Sequence, residues 1–333
     1  MNKVKVGVIG TGFMGKNHVR VFSELSSVEL VAIADIDEHR VDKQSQDYGI
    51  AGYYNYLEML EKEDLNAVSI AVPTSLHTEV VLQTLNYVNN IFVEKPLTSN
   101  LEDCKTIIDE VSEKNAKLMV GHIERFNPAI LKLKELLNNH SLGEIISLST
   151  ERVGPYLPRI RDAGVIVDNA IHDIDVMRFL TERKVNLVYA RTGSRKTDFD
   201  DYASILLEFE GNILGTIEVN RLTPTKIRNL SVTCSDGFVK VDYISQDISV
   251  YGKVLDTHYN DYEELIFKFG NPEIGKPKVE RQEPLKLELQ HFIECIQTGK
   301  QPLVDVYEGY ENLKVANRAL DSAKHNLEYI SIK

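Results

Sequence analysis

Val4-Lys5-Val6-Gly7-Val8-Ile9-Gly10-Thr11-Gly12-Phe13-Met14-Gly15 decides how the rest of the chain folds. Val4, Val6, Val8 and Ile9 are β-branched and form too short a run for a helix, so they read as a buried strand. After Gly15 the pattern changes. Met14, His18, Val21, Phe22 and Leu25 recur at steps of three and four, which puts a largely apolar face on a helix. Glycines mark the junction between the two. Gly10 permits the tight turn, Gly12 lets backbone approach a pyrophosphate, and Gly15 lets helix pack close to strand. The helix start, with Phe13 and Met14 in the turn, presents amides and the positive dipole end to phosphate.

A second strand tests that reading. Residues 29–35 run Glu-Leu-Val-Ala-Ile-Ala-Asp, and Asp35 lies 20 residues beyond Gly15. That is the spacing of a carboxylate accepting hydrogen bonds from an adenosine ribose. The plainer alternative is a loop acid at a strand end. Asp35 favours NAD, because a 2′-phosphate would meet its negative charge. Arg40 follows closely and softens that repulsion, so dual use stays open.

Composition bounds the rest. With 333 residues there is length for two domains, and 43% hydrophobic residues suffice for a core. A net charge of −12 argues against nucleic-acid partners. Cys104, Cys234 and Cys295 form no CxxC, so reduced thiols in the cytoplasm are the simplest account. The chain enters a strand directly, without a charged-then-apolar leader, and no apolar run approaches the roughly 20 residues of a membrane helix.

Strand and helix alternate through residues 1–121, which predicts a doubly wound parallel sheet with ligands at the carboxyl ends of its strands. Strands are expected at 67–72, 90–94 and 117–121, and helices at 37–48, 77–85 and 100–114. Pro73, Thr74, His77, Glu94 and Lys95 all fall at or beyond strand ends. Residues 122–333 read as one second domain. Helices are expected at 127–137, 167–180, 285–296 and 306–323. Strands are expected at 145–153, 203–209, 213–219, 239–243 and 327–332, and a loop at 270–284. The period-two strands predict an open, mostly antiparallel sheet, of the kind that often meets a second copy of itself.

Three stretches carry chemistry. Glu94-Lys95-Pro96 ends a strand; its lysine is a proton donor or fixed positive charge beside a reacting oxygen, or a plain surface lysine. A cis Lys95–Pro96 bond is admissible there. In 168–175, Asp168 and His172 are four apart and share a helix face, so the carboxylate can fix the imidazole's tautomer while His172 takes a hydroxyl proton. The alternatives are a helix-start acid with a packed histidine, or a metal site, which no cysteine pair or HExxH supports. Gly121-His122-Ile123-Glu124-Arg125-Phe126-Asn127-Pro128 stands at the domain junction, where polar groups line clefts or brace domains.

Over nearly its full length the chain resembles the glucose–fructose oxidoreductase and inositol dehydrogenase superfamily (Gfo/Idh/MocA). The resemblance rests on Gly10-x-Gly12-x-x-Gly15, Asp35, Pro73-Thr74-x-x-His77, Glu94-Lys95-Pro96, Arg125-Phe126-x-Pro128 and Asp168-x-x-x-His172. It implies an N-terminal Rossmann domain, a C-terminal α/β domain whose open sheet face forms a homodimer or homotetramer contact, and NAD(P)-linked chemistry at a sugar or cyclitol carbon. It further implies Lys95 near the reacting hydroxyl, His172 as acid/base, Asp168 as its partner or a substrate anchor, and His77 and Glu94 near the nicotinamide ribose. Many relatives have glycine between the aspartate and histidine, where this chain has Asn169-Ala170-Ile171, so the neighbouring pocket surface differs. Stretches 121–129 and 168–175 look most like members that oxidise nucleotide sugars, especially UDP-N-acetylglucosamine at C3. Glu124, Arg125, Asn127 and Asn169 are then substrate-binding candidates. The residues just before the helix fit: Arg152, Tyr156, Arg159 and Arg161 offer guanidinium forks for a diphosphate and a ring for uracil, or simply a solvated charged loop. An inositol or free-aldose dehydrogenase is the rival, and a dinucleotide-sensing regulator the rival outside enzymes.

Overall fold

The computed structural model describes residues 3–156, 163–252, 274–324 and 330–331. They form two units, 1–123 with 283–314 and 124–282 with 315–333.

In the first unit, β1 (Val4–Ile9), β2 (Val28–Ala34), β3 (Ala51–Tyr53), β4 (Ala67–Ile70), β5 (Asn90–Glu94) and β6 (Lys117–Gly121) form one sheet in the order β3-β2-β1-β4-β5-β6. Every pairing in it is parallel. Between the strands run α1 (Gly15–Glu24), α2 (Glu38–Tyr48), α3 (Tyr56–Lys62), α4 (His77–Thr84) and α5 (Leu101–Glu113). This is the doubly wound sheet expected from the alternation. The order reverses between β1 and β4, so the carboxyl ends of those strands open the crevice where such sheets bind ligands. α3 escaped the sequence reading because it is short; its signal was Asn55, whose side chain accepts from Leu57 N–H as an N-cap.

The first unit differs from the expected 1–121 block by a return of the chain. α8 (Pro284–Thr298) and the first half of α9 (Val306–Lys324) belong to it, not to a continuous 122–333 domain. The cause is packing. Leu285, Leu289, Phe292 and Ile293 form a buried stripe on α8, and Phe292 meets Phe92 of β5 edge-on at 5.8 Å. Arg20 of α1 pairs with Glu283, and Lys286 reaches Glu24 at 3.2 Å.

The second unit is built on a nine-stranded sheet. It contains β7 (Ile145–Val153), β8 (Val185–Gly193), β9 (Tyr202–Phe209), β10 (Ile213–Asn220), β11 (Ile227–Cys234), β12 (Gly237–Asp242), β13 (Asp247–Gly252), β14 (Ile274–Gly275) and β15 (Ile330–Ser331). Their order is β14-β13-β12-β11-β7-β10-β9-β8-β15. Among the described residues only β10 and β7 pair in parallel; the other contacts are antiparallel. α6 (Pro128–Asn138), α7 (Ile171–Thr181) and the second half of α9 cover one face, burying Ile130, Leu133, Ile174 and Met177 against Leu148, Leu207, Val219 and Val232. β8 was not expected because a bulge between Val185 and Leu187 breaks its alternation. β11 carries a thin signal, with Leu230, Val232 and Cys234 alone on its buried face. β13 was missed, and the loop expected at 270–284 holds the two-residue β14. Most of the expected last strand, 327–329 and 332, lies outside the described residues.

Candidate active site

The glycine turn separates what the fold needs from what a ligand needs. Gly10 has φ of +86°, and a Cβ there would sit 2.6 Å from the Ala71 carbonyl oxygen. At Gly15 a Cβ would sit 1.8 Å from the Gly10 carbonyl oxygen. Both glycines are demanded by the protein's own close approach. Gly12 is different: a Cβ there would meet only Arg40 Nη1, at 3.7 Å. Packing does not require glycine at that point, and the space left over it is what a dinucleotide pyrophosphate occupies. α1 then begins at Gly15 with no side-chain cap and no acid in its first turn, which leaves its positive end to an anion. The residues present therefore fit NAD.

Asp35 sits where β2 ends. Its Oδ2 accepts from Thr11 N–H at 2.6 Å and Thr11 Oγ at 3.0 Å, and its Oδ1 accepts from Asp37 N–H at 2.9 Å. The carboxylate buttresses the glycine turn, and three bonds leave it lone-pair capacity for a ribose hydroxyl. Arg40 stands beside Gly12, half exposed, with Nε 3.0 Å from Asp37. Phe13 is exposed, with the Lys16 ammonium 5.3 Å from its ring centre, and Met14 is half-buried at the helix start.

Pro73 leads a 3₁₀ turn over Thr74–Leu76, and α4 follows directly at His77. His77, expected near the nicotinamide ribose, has both ring nitrogens engaged by the protein's own backbone. The ring is buried, with Nδ1 2.9 Å from the Pro96 carbonyl and Nε2 3.0 Å from the Val72 carbonyl. It braces the end of β4 against the segment after β5. Burial lowers its pKa, opposed by the two carbonyl contacts.

Lys95 is half-buried directly after β5, and the Lys95–Pro96 bond is cis. Glu94 faces inward rather than into open space. Its Oε1 lies 3.0 Å from His18 Nε2, and its Oε2 accepts from Lys95 N–H at 3.3 Å. Burial pushes the Glu94 carboxyl up, but the His18 bond and the Lys95 charge outweigh it and leave its pKa lowered. His18 in turn contacts Ser69 Oγ at 2.8 Å through Nδ1. In sequence His18 lies on the apolar stripe of α1, and a histidine on a stripe that faces the sheet is its signal.

In the second unit Asp168 and Asn169 lie on a π-helical turn, Ile166–Ala170, that runs straight into α7. Such turns are rare and concentrate at functional sites. Asp168 and Asn169 on this turn and His172 at the start of α7 are all half-buried. The approach to it is fixed from outside. Asp200 accepts from Ile166 N–H at 2.9 Å, and Arg221 donates to the Ala163 carbonyl at 3.1 Å and to Asp201 Oδ1 at 2.7 Å. Tyr156 lies between Lys196 Nζ at 5.7 Å and the Arg221 guanidinium at 6.0 Å. Arg159 and Arg161 lie outside the described residues.

The remaining substrate candidates have partners within the second unit. Arg152 is 2% exposed. Its Nε and Nη2 hold both oxygens of Asp173 at 2.7 and 3.1 Å, and Nη1 holds Glu124 at 3.0 Å. Burial works against its charge, but the Asp173 and Glu124 carboxylates win and raise its pKa. A fork engaged on both sides in the interior does not face a diphosphate. Glu124 is committed to it. Arg125 is likewise buried, with Nε 2.8 and 2.9 Å from the two oxygens of the buried Asp175. Asn127 caps α6 by accepting from Ala129 N–H at 3.1 Å and donates to the Tyr243 carbonyl at 3.0 Å. Arg228 stands directly across from Arg152 in the β11–β7 ladder.

A glycine turn left open over Gly12 on a doubly wound parallel sheet defines a dinucleotide-binding protein. The chain belongs to the GFO/IDH/MocA oxidoreductase family: residues 4–122 match its NAD-binding Rossmann fold and 130–240 its C-terminal domain. Among curated relatives, it is 26% identical over 340 residues to the scyllo-inositol 2-dehydrogenase (NAD(+)) of Bacillus subtilis, covering 98% of this chain and 96% of the relative. It is 27% identical over 257 residues to the UDP-N-acetylglucosamine 3-dehydrogenase of Acidithiobacillus ferrooxidans, covering 77% and 80%. A solved structure of that Acidithiobacillus enzyme superposes with a TM-score of 0.85 at 23% identity, over 98% of this chain and all of the other. An oxidoreductase from Agrobacterium radiobacter, solved with NAD+, L-tartaric acid and magnesium, gives 0.87 at 19% identity, over 99% of each.

Proposed function

We propose that this protein oxidises a ring hydroxyl to a ketone with NAD, and that the ring is the sugar of UDP-N-acetylglucosamine, attacked at C3. The observation that carries the reading is the half-buried Asp168, Asn169 and His172 gathered on one π-to-α turn in a chain whose family binds NAD. When bound, NAD supplies the hydride acceptor. His172 takes the hydroxyl proton, Asp168 orients the imidazole, and Lys95 sets a fixed positive charge at the reacting oxygen. The glycine turn, Asp35, Phe13 and Met14 hold the coenzyme, with Arg40 beside the ribose end. Nucleotide-sugar selection rests on Tyr156, Arg159, Arg161 and Asn169, now that Arg152 is accounted for elsewhere.

A free cyclitol is the second reading. It is favoured by the longer alignment to the inositol enzyme, 98% of this chain against 77%. A regulator with no chemistry is disfavoured, because a sensor has no use for a paired acid and imidazole. The open face of the second sheet, where Leu187, Tyr189, Leu206 and Leu214 line a shallow hollow, is assigned to a homo-oligomer.

Nicotinamide absorbance on adding UDP-sugars, inositols and aldoses separates these readings. UDP-N-acetylglucosamine is expected to give the highest kcat/KM. Lys95→Ala and His172→Ala are expected to bind NAD as the parent does while losing at least about 100-fold in kcat. Full activity in both variants refutes the assignment, and inositol outpacing every UDP-sugar refutes the substrate.

A further inference from the structure

Three side chains from three elements of the first unit make one buried chain: Ser69 of β4, His18 of α1 and Glu94 of β5. Ser69 Oγ to His18 Nδ1 is 2.8 Å and His18 Nε2 to Glu94 Oε1 is 3.0 Å. A serine, an imidazole and a carboxylate at these distances resemble a hydrolytic triad, but Ser69 is 0% exposed in the middle of a strand, so no substrate reaches its oxygen. The chain has another use.

We infer that His18 is a positioning residue for Lys95. An ionised carboxylate only accepts, so His18 Nε2 carries the proton towards Glu94, and Nδ1 accepts from the Ser69 hydroxyl. Each group is then satisfied in one direction, serine to histidine to glutamate. Glu94 Oε1 is fixed by the imidazole, and Oε2 takes the Lys95 N–H at 3.3 Å. Room for that carboxylate depends on Gly121, where a Cβ would lie 3.2 Å from Oε2 and 3.0 Å from Phe92. The imidazole itself is 0% exposed and packed edge-on to Phe92 at 5.4 Å and Phe22 at 6.5 Å, so it cannot swing away. His77, which with Lys95 and His18 acts on Glu94, holds the far side of the same turn through the Pro96 carbonyl. The helix whose start receives the pyrophosphate is thereby tied, through one ring, to the peptide that carries Lys95.

This rests on the assignment of Lys95 above, and its test keeps the two apart. The probes are NAD alone, and whichever compound of the panel the parent enzyme oxidises. His18→Phe keeps the ring volume and removes both polar contacts; His18→Gln restores a donor towards Glu94. The Phe variant is expected to lose roughly 10- to 100-fold in kcat, with KM for the sugar and affinity for NAD within about twofold of the parent, because misplacement, not binding, is at stake. The Gln variant is expected to recover most of that loss. Nitrogen-15 NMR of the parent is expected to show His18 protonated on Nε2. Parent-like kcat in the Phe variant, equal losses in Phe and Gln variants, or an Nδ1–H tautomer overturns the inference. Should the Phe variant not fold, Ser69→Ala decides: a several-fold lower kcat at parental melting temperature supports it, and an unchanged kcat overturns it. A parent inactive on the whole panel refutes the proposed function instead, while the tautomer still judges His18.

Discussion

Arg152→Met tests whether the buried guanidinium serves the fold or the substrate. Met fills most of the stem volume but leaves Asp173, 1% exposed, and Glu124 without their shared cation. Removing one partner of a buried pair costs about 3–5 kcal/mol. For a domain of this size each kcal/mol moves the melting temperature by about 2–4 °C, so the second unit should melt about 6–20 °C lower. The pH dependence carries the sign. Burial already pushes the Asp173 carboxyl up, and Arg152 is the main opposing influence. Without it the folded-state pKa rises further above the unfolded value, so the folded form gains protons and the deficit shrinks as pH falls through that pKa. Differential scanning calorimetry at two pH values, with Arg152→Met alone and with Asp173→Asn added, reads all of this. The double variant should recover part of the loss, since the orphaned charge is gone. A melting temperature within about 2 °C of the parent, with KM for the sugar raised instead, would refute the reasoning and return Arg152 to the substrate.

Two further outcomes follow from the same structure. Gly12→Ala should melt with the parent yet bind NAD at least about tenfold more weakly, whereas Gly15→Ala should lose stability as well, because its methyl group meets the Gly10 carbonyl; calorimetry with a coenzyme titration separates them, and equal stability losses would overturn the distinction. Leu214→Glu, on the open sheet face, should lower the assembly state in sedimentation without lowering the melting temperature of the second unit by more than a few degrees; an unchanged sedimentation profile would move the interface elsewhere.

Much of the first unit was legible because its signals are local. A β-branched run, three glycines and an acid at the next strand end need only neighbours in sequence to be interpreted, and Gly10 and Gly15 make the close backbone approaches expected of them. The helix around 167–180 was legible too, although the π turn at its start, Ile166–Ala170, left no mark in the residues. Charged side chains were another matter. Arg125 and Arg152 look in sequence like groups waiting for a substrate, and only folding shows that Asp175 and Asp173, both on α7, already hold them. His18 looked apolar by position and became polar by contact, through Ser69 and Glu94, which lie 51 and 76 residues away. The return of α8 to the first sheet is of the same kind, since the stripe containing Phe292 says that a helix buries one face but not which sheet receives it. Periodicity and turn chemistry are written within a few residues, so sequence alone determined the elements and the coenzyme fold. Pairing energies are settled between residues far apart in the chain, so only the tertiary structure decided which charges brace the protein.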